Sequence, residues 1–191
     1  MARAGLSPAV VVDIAIELVD EHGISALSLA AVANRATVAA PSLYKHVRNL
    51  ESLQQKISAR ATAELAHALS AAVAGRSGED ALRSVAHAYH HYAIAHPNRY
   101  PLTQRVPDAE DPEHVAAGGQ AVQAMVAALR GYGLEGDEAI DATRVTRSAL
   151  HGFVSLEVDG GFGLPQDVSR SFERLVSALH VSLTGWEQLA R

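Results

Sequence analysis

Residues 29–47 read LAAVANRATVAAPSLYKHV and predict a short helix, a tight turn and a second short helix. The polar and basic side chains along the second helix and just past its end are Ser42, Tyr44, Lys45, His46 and Arg48. A small exposed helix with hydrogen-bonding side chains and flanking cations suits the major groove of DNA. The stretch therefore predicts a helix-turn-helix that contacts duplex DNA.

Composition sets the outer bounds of the fold. With 191 residues, 48% of them hydrophobic, the chain is long enough for one large or two small domains. It has no cysteine, which excludes disulfides and thiolate metal sites. No apolar run approaches the roughly 20 residues of a membrane span, and the first residues do not resemble a secretory signal. We therefore expect a cytoplasmic protein without a membrane partner.

The formal net charge of −5 is unevenly distributed. Residues 1–60 hold six Lys and Arg against five Asp and Glu, which gives +1, whereas the remaining residues hold ten against sixteen, which gives −6. Within residues 30–60 a single acid, Glu51, faces five cations, which gives +4: Arg35, Lys45, Arg48, Lys56 and Arg60. A local basic patch on an acidic protein can still bind phosphates, although a chance fluctuation of surface charge is the alternative.

Apolar spacing predicts an all-α fold of about nine helices. Ser7 and Pro8 start the first helix and Gly23 ends it, and Ser28 caps the second. Beyond the third helix, the predicted helices cover about 50–73, 79–95, 98–105, 114–130, 137–158 and 166–189, with an exposed loop over 106–113. The predicted domains are residues 1–49, which bind DNA, and residues 50–191.

Residues 7–60 resemble the DNA-binding domain of the TetR/AcrR family of transcriptional regulators. The resemblance lies in Val11–Gly23, in Leu27-Ser28-Leu29-x-x-Val32-Ala33, in Pro41–Val47 and in the following link Arg48–Leu53. It implies that the third helix enters the major groove of DNA. It also implies a homodimer whose two helix-turn-helix units bind half-sites about 34–36 Å apart.

The rest of the chain resembles one class of ligand-binding domain in the same family. The segment Tyr92–Tyr100 is similar to its aromatic and His-Pro segment, and Leu150–Glu157 is similar to its His-Gly helix. A tryptophan often precedes that His-Gly pair, and here Leu150 takes its place. The resemblance implies a small-molecule effector of unknown identity.

Three positions of the DNA-binding part depart from the family pattern. Thr37 replaces the usual turn glycine, and a β-branched residue resists a positive φ angle at a cost of about 1–2 kcal/mol. Ala39 replaces a serine or threonine cap, which is worth roughly 1 kcal/mol. Leu50 replaces a frequent phosphate-binding lysine. We expect a slightly loose third helix.

Nine residues are predicted to contact DNA. Ser42, Tyr44 and His46 offer hydrogen bonds to bases or phosphates, Lys45 reaches a guanine edge or a phosphate, and Arg48 meets the backbone. Ala39 and Ala40 offer methyl groups to thymine. Ser28 lies at a helix start that suits a phosphate, and Arg3 lies on an arm that reaches a phosphate or the minor groove. The alternative is that Tyr44 only packs and that Lys45 and Arg48 are only solvated.

The second domain offers candidate ligand contacts. They are the aromatic and polar side chains Tyr89, Tyr92, Tyr100, Met125, His151 and Phe153, for which a plain core role is the alternative. His87, His90 and His91 share one helix, but no further metal ligand is fixed by spacing, so we expect no metal. No cofactor motif is present.

The family resemblance implies that the last two predicted helices form the dimer contact. Small residues, Ala142, Ser148, Ala149 and Gly152, permit close helix approach. The apolar stripe Phe172, Leu175, Val176, Leu179 and Leu183 faces either a partner or the chain's own domain. We expect a repressor that a small molecule releases from a palindromic operator. The alternative is a helical small-molecule-binding protein or enzyme whose first helices are only structural.

Overall fold

The computed structural model describes residues 6–189, and helices are the regular secondary structure within them. The α-helices are α1 Pro8–His22, α2 Leu29–Ala36, α3 Leu50–Val73, α4 Gly78–Ala95, α5 Pro112–Leu129, α6 Gly136–Val158, α7 Val168–Thr184 and α8 Trp186–Leu189. Short 3-10 helices cover Ile24–Ala26, Ala40–Lys45, Tyr100–Gln104 and Arg130–Tyr132. The all-α prediction is confirmed. Within residues 6–189, none of these helices is long and apolar enough to cross a bilayer.

Most predicted boundaries lie within two residues of the observed ones. Ser7 caps α1 by accepting a hydrogen bond from the Val10 amide, and Gly23 ends the helix with a φ angle of 79°. The predicted helix over 166–189 is wrong in one respect, because Gly185 interrupts it and separates α7 from α8.

The chain divides into two compact units. Unit 1 is Met1–Glu64 with His96–Gly118, and unit 2 is Leu65–Ala95 with Gly119–Arg191. The predicted domains 1–49 and 50–191 are divisions by function and stay a prediction.

The core of unit 1 joins α1, α2, Ala40–Lys45 and the first half of α3. Its buried apolar side chains include Val11, Ala15, Val19, Val32, Leu43, Val47, Leu53 and Ile57. Burial of such side chains is worth about 1.5–3 kcal/mol each. The helix-turn-helix is therefore a packed structure with its own core.

Arg99 ties α1 to α3 inside unit 1. Its side chain is only 10% exposed, and its guanidinium donates to both carboxylate oxygens of Asp20 and, at 2.6 Å, to Oε2 of Glu64. Asn98 donates to the Asp20 carbonyl oxygen at 2.9 Å. Because a buried cation needs paired charges, these contacts hold the segment after α4 against the end of α1.

Unit 2 is built on α4, α6 and α7. The apolar stripe of α7 is turned into this unit, since Phe172, Val176, Leu179 and Leu183 are all buried in the single chain. That stripe therefore faces the chain's own domain, and only Leu175 of the set is partly exposed. Gly131 is required for another close approach, because a Cβ there would lie 2.2 Å from the Gly78 amide nitrogen.

Candidate nucleic-acid interface

The turn of the helix-turn-helix has the left-handed geometry that the sequence suggested. Thr37 has φ 56° and ψ 44°, and it is the one residue other than glycine with a positive φ among those described. Its amide donates to the Asn34 carbonyl at 3.1 Å, and the Val38 amide donates to Ala33 at 3.0 Å. The threonine is therefore held in a strained conformation by a well-bonded turn.

The second half of the motif is a 3-10 helix, Ala40–Lys45. Ala39 precedes it without a side-chain cap, and Pro41 lies in its first turn, where an amide hydrogen is not needed. The Ser42 amide donates to Ala39 at 2.8 Å and the His46 amide donates to Leu43 at 2.8 Å. The sequence predicted the helix and its missing cap, but it did not distinguish the tighter 3-10 winding.

Side chains alternate sharply between the core and solvent in this helix. Leu43 and Val47 are buried, whereas Tyr44 is 60% exposed and Lys45 and Arg48 are exposed. Ser42, His46 and Ala40 are half-buried, and Ala39 is exposed. Ala39, Tyr44, Lys45 and Arg48 are thus accessible to a ligand, and the exposure of Tyr44 excludes a core packing role for it.

Two of the five cations counted in the basic patch are neutralised by ion pairs. Arg35 donates to both carboxylate oxygens of Glu21, and this hydrogen bonding holds the pKa of Glu21 below its usual value. Arg60 lies 3.6 Å from Asp13. By contrast, Lys45, Arg48 and Lys56 make no ion pair within residues 6–189. The effective patch is therefore smaller than the local charge of +4 suggested.

Ser28 occupies the cap position that the sequence predicted. Its Oγ accepts a hydrogen bond from the Ala31 amide at 3.1 Å, which leaves the hydroxyl hydrogen available to a phosphate oxygen. Arg3, the other predicted contact outside the short helix, lies outside the described residues.

A reciprocal cap at the start of α3 was missed in the sequence. Oδ1 of Asn49 accepts from the Ser52 amide at 2.8 Å, and Oγ of Ser52 accepts from the Asn49 amide at 3.1 Å. The spacing Asn-x-x-Ser resembles a capping box and could have revealed it. This cap fixes the chain direction immediately after Arg48.

A buried hydrogen-bonded chain inside unit 1 was also missed. The Ser58 hydroxyl donates to the Leu102 carbonyl at 2.7 Å, so its oxygen accepts from Nε2 of His114 at 3.2 Å. Burial lowers the pKa of His114, which keeps the ring neutral. These contacts hold Tyr100–Gln104 and the start of α5 against α3.

The candidate ligand residues do not lie together in one unit. Tyr89, Tyr92 and Met125 are buried in unit 2, where His151 and Phe153 are half-buried, whereas Tyr100 is buried in unit 1. Desolvation lowers the pKa of His151. A cleft of about 420 Å³ in unit 2 is lined by other residues: Val126, Arg130, Gly133, Leu134, Glu135, Gly136, Ala139 and Ile140.

Two of the three clustered histidines bind carboxylates. Nε2 of His90 lies 2.8 Å from Glu157, and Nε2 of His87 lies 3.0 Å from Glu173. The Phe172 ring packs against both imidazoles, at 4.4 Å from His90 and 5.6 Å from His87. Within the described part of the chain, no group of three or more potential ligands is placed to hold a metal ion.

Two family models match this chain. The model for bacterial regulatory proteins of the tetR family matches residues 11–54, and the model for the tetracyclin repressor-like C-terminal domain matches residues 82–179. The first match contains the turn and the Ala40–Lys45 helix, and the second covers most of unit 2.

Relatives and solved structures agree with these models. The chain is 39% identical to the HTH-type transcriptional regulator Rv0681 of Mycobacterium tuberculosis, over 82% of this chain and 72% of that protein. It is 32% identical to the HTH-type transcriptional regulator YobS of Bacillus subtilis, over 88% of each. The crystal structure of the regulatory protein SCO4313 superposes with a TM-score of 0.74 and 26% identity, over 90% of this chain and 94% of that one. Apo ActR of Streptomyces coelicolor, at 18% identity and a TM-score of 0.72 over the whole of both chains, shows the same fold. The chain therefore belongs to the TetR family and is a DNA-binding transcriptional regulator.

Proposed function

We propose that this regulator is a dimeric repressor that binds a palindromic operator through Ala40–Lys45 and is released by a small molecule. The observation that supports this proposal most strongly is the orientation of that helix: Tyr44 and Lys45 are exposed to solvent, whereas Leu43 is buried in the core. A helix held by its apolar side and exposing donors on the other can enter a major groove without unfolding.

Each predicted contact residue has a role that fits its position. Tyr44, Lys45 and Ser42 reach base edges or phosphates, and the exposed methyl of Ala39 and that of Ala40 contact thymine. His46, Arg48 and Ser28 bind the phosphate backbone and so fix the register of the helix. Arg3, which lies outside the described residues, is the ninth contact of the proposal.

Dimerisation through α6 and α7 is supported by an exposed apolar surface on these helices. Val145, Leu156 and Val181 are exposed, the last to 69%. Ser148 and Gly152 are exposed between Val145 and Leu156 on α6, and such small side chains allow helices to approach closely. Two copies joined there would present two reading helices, as a palindrome with half-sites about one DNA turn apart requires.

Release by a small molecule is supported by structures of the same fold. ActR of Streptomyces coelicolor has been crystallised in complex with (S)-DNPA, and a TetR variant from Acinetobacter baumannii AYE in complex with minocycline. In this chain the half-buried His151 and Phe153 remain candidate contacts, together with Tyr89, Tyr92, Tyr100 and Met125. The ligand must bind the DNA-incompetent state more tightly, by about 1–3 kcal/mol for a typical coupling.

Selection of bound duplexes from a random pool tests this proposal. The purified protein is expected to enrich a palindrome, and replacing both Tyr44 and Lys45 with alanine is expected to weaken its binding at least tenfold. Arg130→Ala removes one exposed cation of unit 2 and serves as the control, with unchanged affinity. Folded protein that enriches no palindrome, or a double variant that binds as tightly as the parent, would contradict the proposal. Turnover of a small molecule without DNA affinity would instead favour the enzyme alternative.

A further inference from the structure

An acidic loop lines the same cleft as the residues that directly follow the Ala40–Lys45 helix. The cleft has a volume of about 730 Å³ and lies entirely within unit 1. One side carries residues 46–49, directly after the short helix, and the other carries Asp108–Glu113. The sequence identified the second stretch only as an exposed loop.

The fixed charges lining this cleft sum to a negative value. Arg48 and Lys56 contribute +2, and four carboxylates contribute −4, which gives −2: Asp108, Glu110, Asp111 and Glu113. Glu51 also lines the cleft, but it is paired at 2.9 Å with Arg105 and adds no net charge. A DNA-binding protein therefore holds an excess of negative charge beside cations that no carboxylate neutralises directly.

The loop is fixed at both of its ends. Arg105 donates to Gln54 and Glu51 on α3. At the other end, Oδ1 of Asp111 accepts hydrogen bonds from the amides of Glu113 and His114, and His114 is fully buried. The carboxylates are consequently held near the cleft by the fold.

The carboxylates border the same space that a phosphate bound at Arg48 would enter. All four line the cleft together with Arg48 and Lys56, and ordinary salt screens charges only over about 8–10 Å. A phosphate that reaches Arg48 therefore lies within range of the acidic loop and is repelled by it. The repulsion applies to any sequence, because phosphates carry no base information.

We propose that the acidic loop Asp108–Glu113 sets the DNA affinity of this regulator by opposing phosphate binding at Arg48 and Lys56. The proposal rests on the assignment of Arg48 to the DNA backbone, and it is independent of the ligand and of the dimer contact. Its function is to lower the affinity for every duplex, operator and unrelated DNA alike, and the preference between sequences is left to the short helix.

A pair of matched double variants tests the proposal in the full-length protein. Glu110→Gln with Glu113→Gln removes two exposed carboxylates, one before α5 and one in its first turn. Glu135→Gln with Asp137→Asn removes two exposed carboxylates at the same kind of position in α6 of unit 2. Both pairs raise the net charge by two, so only position distinguishes them.

Binding is measured by fluorescence anisotropy on a random-sequence duplex and on the selected palindrome, with increasing salt. The variant with Glu110→Gln and Glu113→Gln, called the α5 pair, is expected to tighten both complexes roughly threefold at low salt. The gain should vanish at about 0.5 M salt, where screening is strong. The α6 pair is expected to change neither. Arg48→Ala is expected to weaken both complexes and to cancel most of the gain from the α5 pair.

An equal gain from both pairs would reduce the effect to net charge and overturn the inference. No gain from the α5 pair would overturn it as well, as would an Arg48→Ala variant that binds as tightly as the parent. If the α5 pair shows no gain while Arg48→Ala still weakens binding, the DNA-facing assignment stands and the inference alone fails.

Discussion

The two helices of the helix-turn-helix are stabilised in different ways. Helix α2 is a regular α-helix that starts at the Ser28 cap and packs Val32 and Ala33 into the core. The Ala40–Lys45 helix has no side-chain cap, follows a strained Thr37, and buries only Leu43.

This difference distinguishes two roles: α2 is the supporting helix, and Ala40–Lys45 is the contact helix that is proposed to meet DNA. α2 has a side-chain hydrogen bond at its start in addition to the burial of Val32 and Ala33. The Ala40–Lys45 helix is held in place by the burial of Leu43 and, just beyond it, Val47. Its exposed side chains are therefore not required for folding. A loosely stabilised contact helix can adjust to a groove, at the cost of ordering it when DNA binds.

Leu43→Ala should destabilise the contact helix Ala40–Lys45, and its effect on stability should be the largest of those predicted. Deleting a fully buried leucine side chain is expected to cost about 2–5 kcal/mol of unfolding free energy, because a cavity remains under the short helix. Urea unfolding of the purified protein measures this loss. Tyr44→Ala, one residue away but exposed, is the control and should leave the unfolding midpoint unchanged; equal losses for both would contradict the inward and outward assignment.

Ser28→Ala should destabilise the supporting helix α2, with a smaller loss of unfolding free energy. Loss of the hydrogen bond from the Ala31 amide is expected to cost roughly 1 kcal/mol, measured by the same unfolding experiment. Ser28→Asp keeps a capping oxygen and should retain stability, yet its negative charge should weaken DNA binding. Retained affinity in the aspartate variant would argue against a phosphate at this position.

Thr37→Gly should relieve the strain between the two helices. Glycine adopts a φ angle of 56° readily, and the relief outweighs its greater freedom in the unfolded chain by about 1 kcal/mol or less. A higher thermal midpoint checks this expectation. Asn34→Gly, on the exposed surface of α2, is the control and should lower the midpoint; a midpoint that falls in the Thr37 variant would show that no strain is stored there.

Ala39→Ser should have the smallest effect and would make the two helices more alike. A serine at this extended position can accept from an amide of the following turn, with a gain of about 0.5 kcal/mol. The stability of the whole protein should rise slightly. A loss of stability would indicate that the 3-10 geometry cannot use a cap.

Local patterns predicted most of the fold, because the interactions that define them span three or four residues. Ser7 and Ser28 were identified as caps from their neighbours alone, and the predicted helix over 50–73 has the bounds of α3. The αL turn at Thr37 was predicted from the family resemblance, and the structure confirms it.

Contacts between distant residues could not be predicted in this way. The Arg35–Glu21 pair and the Arg99–Asp20 pair join residues 14 and 79 positions apart, and no local spacing encodes them. For the same reason the α7 stripe was compatible with either a partner or its own unit, until the structure showed Phe172 and Val176 buried. The exposed Tyr44 and Lys45 were predicted, but the acidic loop beside Arg48 was visible only in three dimensions.

Amide hydrogen exchange, with and without the selected palindrome, tests most directly the claim that Ala40–Lys45 contacts DNA. The amides of Ser42 and His46 lie in a short uncapped helix, so they should exchange quickly in the free protein and become strongly protected on DNA, whereas those of α1 should change little. Protection that appears elsewhere while residues 40–47 exchange as fast as before would contradict the account.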